Sequence, residues 1–477
     1  MLHKLLRWLG RGLAGLVGLV VLFYAEEYVR GRWAWERHRQ ALAARGDSLD
    51  IRKFAPPPIP DDQNMAAAPV FAVLFTETNG FTTLSRQLSL PYTKHAWDAD
   101  WRSGKKLDFT VWKKAFTNDD LTLALKKYEA VLSEVAAAAQ RPHARFAVCY
   151  EDGPTALCPH TACVLQCSKL LRLRALVRLN ADQGDLAAQD LLLMLRLGQA
   201  LEDEPLLLSP LVHNSLVTLA DQILWEGLLA RRWSAAQLAA FQKEFERLDF
   251  LKDFRCAFQG ERCAAVWLLH AIHDQPPQLF SEYYTPRGMF AFRYIIPRGW
   301  FYLNVRNRDQ AFLDQLLPSI DVPAQRIYPQ SALNHASQLE RASERSWYRI
   351  LPYHYLEYLL DPVFPDWLRR SAYGQTTAQQ AALACALERY RLANGRLPEK
   401  LAALMPQFIA KIPHDVMDGQ PLRYRLESDG SYKLWSIGWN QKDDDGQLAF
   451  QHPNAPEDQR YLDDQKGDWV WKLPAPK

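Results

Sequence analysis

The run GLAGLVGLVVLFYA, Gly12 to Ala25, carries no charged residue and follows Lys4, Arg7 and Arg11. As a helix it is about 21 Å long, short of the roughly 30 Å hydrocarbon core of a bilayer. It crosses only if Leu5 to Leu9 also enter and the arginines snorkel outward. A basic head before a short apolar run also fits a secretory signal, but cleavage after Ala25 would place Phe23 where a small residue is required. Residues 1–25 are therefore read as an uncleaved transmembrane anchor, and the membrane is the first expected partner.

The flanks of this helix do not decide its orientation by charge alone. Lys4, Arg7 and Arg11 with the terminal amine stand on one side, and Arg30, Arg32, Arg37 and Arg39 on the other. Long domains translocate largely regardless of flanking charge, and a short basic head before an apolar run is the usual export arrangement. The expectation is an inner amino terminus with the bulk of the chain outside.

Past the anchor, Glu26 to Arg45 keeps helical spacing while heavily charged, and Gly46 is a natural stop. The anchor is expected to continue as one rigid helix into the interfacial zone. FAPPPIPDDQN, Phe54 to Asn64, holds four prolines in its first seven positions and reads as an extended spacer, so residues 26–64 link anchor to body.

Residues 65–150 form a mixed region. Val70 to Phe75 has the run length of a strand, Asn118 is placed to cap a helix reaching about Ala139, and Trp97, Trp101 and Trp112 are expected to pack against it. Residues 151–370 read as a helical body. Leu170, Leu171, Leu173, Leu176 and Leu179 recur at helical spacing, Asp182 to Asp185 makes a short turn, and Leu186 to Leu201 gives a second amphipathic helix. Pro205 and Pro210 break it. Ser234 with Gln237 forms a capping box, and Trp233 with Leu238 a hydrophobic staple, before the next helix. Such antiparallel helical hairpins resemble tetratricopeptide packing, without a sustained 34-residue period. Lys252 to His273, Ser331 to Arg349 and Trp367 to Tyr373 continue the helical pattern.

Composition limits the function. The 477 residues are 48% hydrophobic, ample for large cores, and 57 basic against 54 acidic side chains leave a net charge of +3 with no basic block. A nucleic-acid footprint is absent. Seven cysteines are an odd number in a chain too large to depend on a disulfide framework, so at least one stays unpaired in a monomer.

Residues 371–477 change character. Thr377 to Asn394 is a helix closed by Gly395; Leu422, Tyr424 and Leu426 alternate, Ser428-Asp429-Gly430 turns the chain, and Tyr432 to Ile437 returns as a second strand. The order Tyr390, Asn394-Gly395, Leu397-Pro398, Leu401 to Leu404, Ile412-Pro413, Asp415, Gly419, Leu422, Tyr424, Asp429-Gly430, Tyr432 and Ser436-Ile437-Gly438 resembles the globular domain of the major pseudopilins of type II secretion. The resemblance covers about seventy residues of the chain. The remainder is similar to a large group of anchored bacterial proteins without assigned activity. Together these imply a small α+β module in a single-pass protein of the bacterial inner membrane with its bulk in the periplasm. Pseudopilins run directly from an apolar helix into this domain, whereas here about 350 residues intervene, which argues against polymerisation.

In that family the loop after the last strand binds calcium. The matching positions are Ser436 and Asn440, where the family usually has aspartate at the second, with Asp443, Asp444 and Asp445 available as carboxylates. The resemblance thus makes Ser436, Asn440, Asp443 and Asp445 a candidate calcium site, while a solvated acidic turn accounts for the same residues.

Other chemistry is sparse. Cys158, His160, Cys163 and Cys167 are the densest soft-ligand cluster, but they lack the paired knuckle of a zinc site and read as small core residues. His270 and His273 end a helix without a zincin motif, and histidines are favoured there by the helix dipole. Phe280 to Tyr302 holds nine aromatics in twenty-three residues. These rings are expected to plug the core; a lid, a groove wall or a lipid contact are the functional alternatives. No nucleophile elbow, phosphate loop or dinucleotide fingerprint occurs. The sequence therefore predicts a mainly α protein: a transmembrane helix, a helical-hairpin body that binds a protein partner, and a small C-terminal α+β module. A hydrolase with a site around His270 to Tyr302, or a purely structural scaffold, are the alternatives.

Overall fold

The computed structural model describes residues 2–76, 79–91, 102, 109–274, 297–343, 364–452, 454 and 462–475. It is mainly helical. The first helix, α1 (Leu2–Ala44), is continuous over 43 residues, about 65 Å at the α-helical rise. Its apolar half is bare: Leu13, Leu16, Leu19 and Leu22 are all more than half exposed, as expected for a helix long and apolar enough to span a membrane.

Beyond Ala25 the helix acquires a buried face. Glu27, Gly31, Trp35, His38 and Leu42 are buried at spacings of four, four, three and four, one stripe of an amphipathic helix. Gly46 then ends it at φ +73°, with its amide donating to the Ala43 carbonyl and the Asp47 amide to that of Leu42. These two bonds satisfy the last carbonyls, and glycine takes the left-handed backbone without a Cβ clash.

The proline segment leads from there to Asn64, which is clamped to the body. Its side chain donates to the Arg145 carbonyl and accepts from the amides of Arg145 and Ala66. The described elements of the mixed region are helices: α2 (Pro69–Thr76), α3 (Gly80–Leu88), α4 (Phe109–Phe116), α5 (Leu121–Leu125) and α6 (Glu129–Ala138). Val70 to Phe75 is thus helix and not strand. Val70, Phe71 and Leu74 are buried on one helical face, and so short an apolar run has no periodicity of its own to separate the two states. Asp120, not Asn118, caps α5 by accepting from the amides of Thr122 and Leu123; Asn118 accepts instead from the Asp120 amide. Trp112 is fully buried, while Trp97 and Trp101 lie outside the described residues.

The body comprises α7 (Pro159–Asn180), α8 (Gly184–Gln199), α9 (Leu208–Leu229), α10 (Ala235–Glu246) and α11 (Phe250–Asp274): α7, α8 and α9 pack on one another, α10 touches α8, and α11 packs on α9. The Ser234–Gln237 capping box forms in both directions, at 3.3 and 2.9 Å. Then follow α12 (Arg298–Ala311), a two-residue hairpin of β1 (Ile320–Asp321) and β2 (Arg326–Ile327), α13 (Pro329–Ser343) and α14 (Phe364–Asn394). The division expected between residues 370 and 371 falls inside α14, which is unbroken there.

Strands β3 (Arg423–Leu426) and β4 (Tyr432–Ser436) form the hairpin read from the sequence, turned by Gly430 at φ +83°. Two further strands, β5 (Leu448–Phe450) and β6 (Leu462–Gly467), pair with each other. The final strand, β7 (Trp469–Leu473), adds to β4 antiparallel, with Leu434 opposite Trp471. One large hydrophobic core joins described residues from Met65 to Trp471, and Trp35, Val266 and Val305 form a separate small cluster. Polar contacts cross it as well: Trp225 Nε1 donates to the Lys472 carbonyl at 2.8 Å, and Gln380 Nε2 to that of Trp469 at 2.7 Å.

Removing residues 371–477 therefore deletes most of α14, including the fully buried Ala378 to Leu387 face, and opens the core of α9, α10 and α11. The expected outcome is loss of the cooperative thermal transition of the remaining chain, read by circular dichroism. Retention of that transition would show that the C-terminal part folds as a separate unit.

Candidate functional site at the junction of anchor and body

The most distinctive constellation among the described residues lies where α1 passes from its bare apolar half to its buried face. Helix α12 runs parallel to it: Gly299 sits against Glu27 and Tyr28, Val305 packs with Trp35, and Asp309 meets His38. The backbones touch at Gly31 and Gly299, where a Cβ on either residue would overlap the other helix's carbonyl. Only glycine permits that approach.

Polar groups lock the contact at two levels. Next to the apolar half of α1, buried Glu27 accepts from Arg30 Nη2 at 2.6 and 2.7 Å and from Trp300 Nε1 at 3.0 Å. Higher up, His38 Nε2 lies 2.7 Å from Asp309 Oδ2. Arg262 on α11 grips the same carboxylate through Nε and Nη2, and its Nη1 donates to Asp47 at 2.7 Å. Arg262 is 1% exposed, so both of its acidic partners are needed to offset its desolvation. Burial pushes the Asp309 carboxyl upward, but hydrogen bonds from His38 and Arg262 outweigh that and hold it below the usual carboxylate range. Burial likewise opposes the Arg262 charge, and Asp309 and Asp47 more than restore it.

Beside this network opens a cleft of about 780 Å³ between the end of α1, residues 47–53, residues 150–153 and α11. Trp35, Tyr150, Val266 and Trp267 supply apolar walls, and Arg39 and Arg52 a charged rim. The rim is already paired, Arg39 with Glu36 at 2.6 Å and Arg52 with Asp50 at 2.7 Å. Cys263 faces the cleft, but burial pushes its thiol up to about 12, so it is protonated and a poor nucleophile at neutral pH.

The other sequence candidates disperse. His160 is fully buried, stacked on Phe146 at 4.3 Å, with Nε2 3.0 Å from Glu204 Oε2. Ser209 donates to that same oxygen, so serine and histidine share one carboxylate and do not bond each other. This is an interior cluster, with His160 Nδ1 buried and unpartnered among the described residues, and not a nucleophile with its base. Burial raises the thiols of Cys158 and Cys163 to about 11 and about 12. The side chains of His270 and His273, and residues 280–296 of the aromatic segment, lie outside the described residues; Trp300, Phe301 and Tyr302 belong to α12.

The candidate calcium residues are each engaged. Buried Ser436 donates from Oγ to Asp415 Oδ1 at 2.8 Å. Asn440 Nδ2 donates to Asp444 at 2.9 Å, Asp443 accepts from Trp435 Nε1 at 3.0 Å, and Asp445 is paired with Arg425. Arg423 lies among Asp415, Asp418 and Asp443. Among the described residues, no three His, Cys, Asp or Glu side chains are grouped to hold a metal ion.

The junction network escaped sequence reading because its members lie far apart, His38 and Asp309 by 271 positions and Arg262 and Asp309 by 47. The legible signal was the stripe of Gly31, Trp35, His38 and Leu42 within an otherwise charged helix. Comparison of the chain with protein-family models, with curated proteins and with solved structures finds no match in any of the three.

Two outcomes follow from these contacts. Arg262→Met leaves Asp309 and Asp47 without their cation and should cost about 3–5 kcal/mol in denaturant unfolding, part of it recovered by adding Asp309→Leu. Because the Asp309 value is depressed, its stabilising contribution is complete above the unfolded value of 3.8 and is lost only as pH falls through the lower folded one, so the junction should hold throughout mildly acid conditions. For calcium to bind the C-terminal loop it must displace Arg425 and Lys442 from Asp445 and Asp444. Millimolar calcium is expected to leave Tm unchanged, and a clear upward shift would show that the loop rearranges around the ion.

Proposed function

We propose that this chain is a single-pass protein of the bacterial inner membrane whose periplasmic helical body binds a protein partner close to the bilayer, without catalysis of its own. The observation that carries this reading is α1, exposed and apolar over one half and gripped by the body over the other. An anchor attached in this way sets the body's position and orientation, which an enzyme acting on a diffusing substrate does not require.

We read α7, α8 and α9, which pack on one another, as tetratricopeptide-like hairpins that offer surfaces to a partner. A groove of about 530 Å³ bounded by α6, α7 and α8 offers one, lined by Glu129, Ser133, Arg174, Arg178 and Arg196. Arg174 and Arg178 are both held by Asp190, at 2.6 and 2.7 Å, so their guanidinium groups are pre-positioned. The C-terminal sheet on α14 is read as a module related to pseudopilin globular domains and serving within this assembly, not as a polymerising subunit.

Alkaline phosphatase fused after residue 60 and, separately, after residue 477 is expected to be active in both positions. Expressed but inactive fusions would put the body in the cytoplasm. In-cell crosslinking from residues in the α6 to α8 groove is expected to capture one discrete partner, and its failure at every groove position would remove the binding role.

A further inference from the structure

Among the described residues, the part of the body nearest the apolar run of α1 is the first turn of α12, and we propose that it forms a second membrane contact, with Arg298 and Trp300 seated in the headgroup layer where α1 emerges. This rests on the reading of α1 as the spanning helix. It adds that the body rests on the lipid surface and does not stand away from it on a stalk.

Depth carries the argument. The apolar run of α1 continues through Ala25. The Phe23 ring, inside that run, meets the Trp300 ring edge to face at 6.3 Å. Trp300 Nε1 also donates to Glu27 at 3.0 Å. Glu27 lies two residues past Ala25, about 3 Å along the helix, whereas the headgroup zone of one leaflet is about 5–7 Å deep. Trp300 therefore cannot sit above that zone while it touches Phe23.

Direction agrees with depth. Since Val305 packs with Trp35 and Asp309 with His38, α12 climbs away from the membrane in parallel with α1, and its first turn is its lowest. The chemistry of that turn suits a lipid boundary. Tryptophan presents an apolar body with a polar tip, as in interfacial belts, and here the tip is satisfied by Glu27. Arg298 is exposed, as is Arg32, whose Nη1 donates to the Tyr28 hydroxyl at 3.2 Å, and Tyr28 in turn stacks edge-on with Tyr302. Long cationic side chains at this level reach phosphates while their stems stay in apolar surroundings.

The test uses the full chain reconstituted in vesicles of phosphatidylethanolamine and phosphatidylglycerol. The difference in fluorescence between the native chain and Trp300→Phe isolates the signal of Trp300. That component is expected to be quenched by lipids carrying a nitroxide near the headgroup, less by lipids labelled at the bilayer centre, and to be shielded from aqueous iodide. Should Trp300→Phe fail to fold, a nitroxide on Arg298→Cys in a Cys149→Ser background reports the same depth through collision with oxygen against a water-soluble nickel chelate. A Trp300 component quenched by iodide and by neither lipid, or an Arg298→Cys label at bulk-water accessibility, overturns the proposal alone. Release of the native chain from membranes at alkaline pH overturns the spanning reading and this proposal with it.

Discussion

The arrangement depends on the close passage of two backbones, at Gly31 on α1 and Gly299 on α12. An α-helix that leaves a bilayer without a break transmits its direction to whatever packs on it, since bending it sharply needs proline, a π-bulge or an inserted group. Here nothing interrupts α1 from Leu2 to Ala44, and the body grips it from Glu27 upward. The body and the apolar half of α1 are consequently one mechanical unit. The proline segment, which by composition alone reads as a spacer, connects two parts that already touch.

Polar burial makes that unit specific. Apolar contact alone, through Trp35, Val266 and Val305, would allow α1 to slide or rotate against the body. Arg262 ties Asp47 at the end of α1 to Asp309 on α12, and His38 meets the same carboxylate. Buried ion pairs of this kind add little net stability over hydrophobic replacements but penalise every misaligned register, because a one-residue shift strands a charge out of water. Register along α1 sets how far its bare apolar half projects from the body, and the network fixes that register.

How much of this was legible in the sequence depended on whether local signals agreed with tertiary ones. The Ser234–Gln237 cap, the turn after α7 and the β3–β4 hairpin are encoded within a few residues and form where expected, and the apolar amino-terminal run forms a bare helix long enough to span a membrane. Val70 to Phe75 carries no decisive local pattern, and burial against the body made it helix. The strand at Trp469–Leu473 went unread because its pairing partner β4 lies more than thirty positions earlier and its own signal is a bare tail sequence. The junction was illegible for the same reason at longer range. Buried charges look like surface charges until their partners are known.

The C-terminal loop shows the same logic in the reverse sense. Acidic residues grouped in sequence suggest a bound cation, yet the folded loop meets them with its own. Arg423 stands among Asp415, Asp418 and Asp443, Arg425 takes Asp445, and Lys442 takes Asp444 at 2.9 Å. Asp415 is fully buried, so burial raises its carboxyl, against which the amides of Met417 and Ile437 and the Ser436 hydroxyl donate to it. A covalently attached guanidinium needs no supply of free ion and loses no translational freedom on binding. A loop built this way has its counter-charges in place without a bound ion, although its exposed pairs, Arg425 with Asp445 and Lys442 with Asp444, weaken as salt screens them.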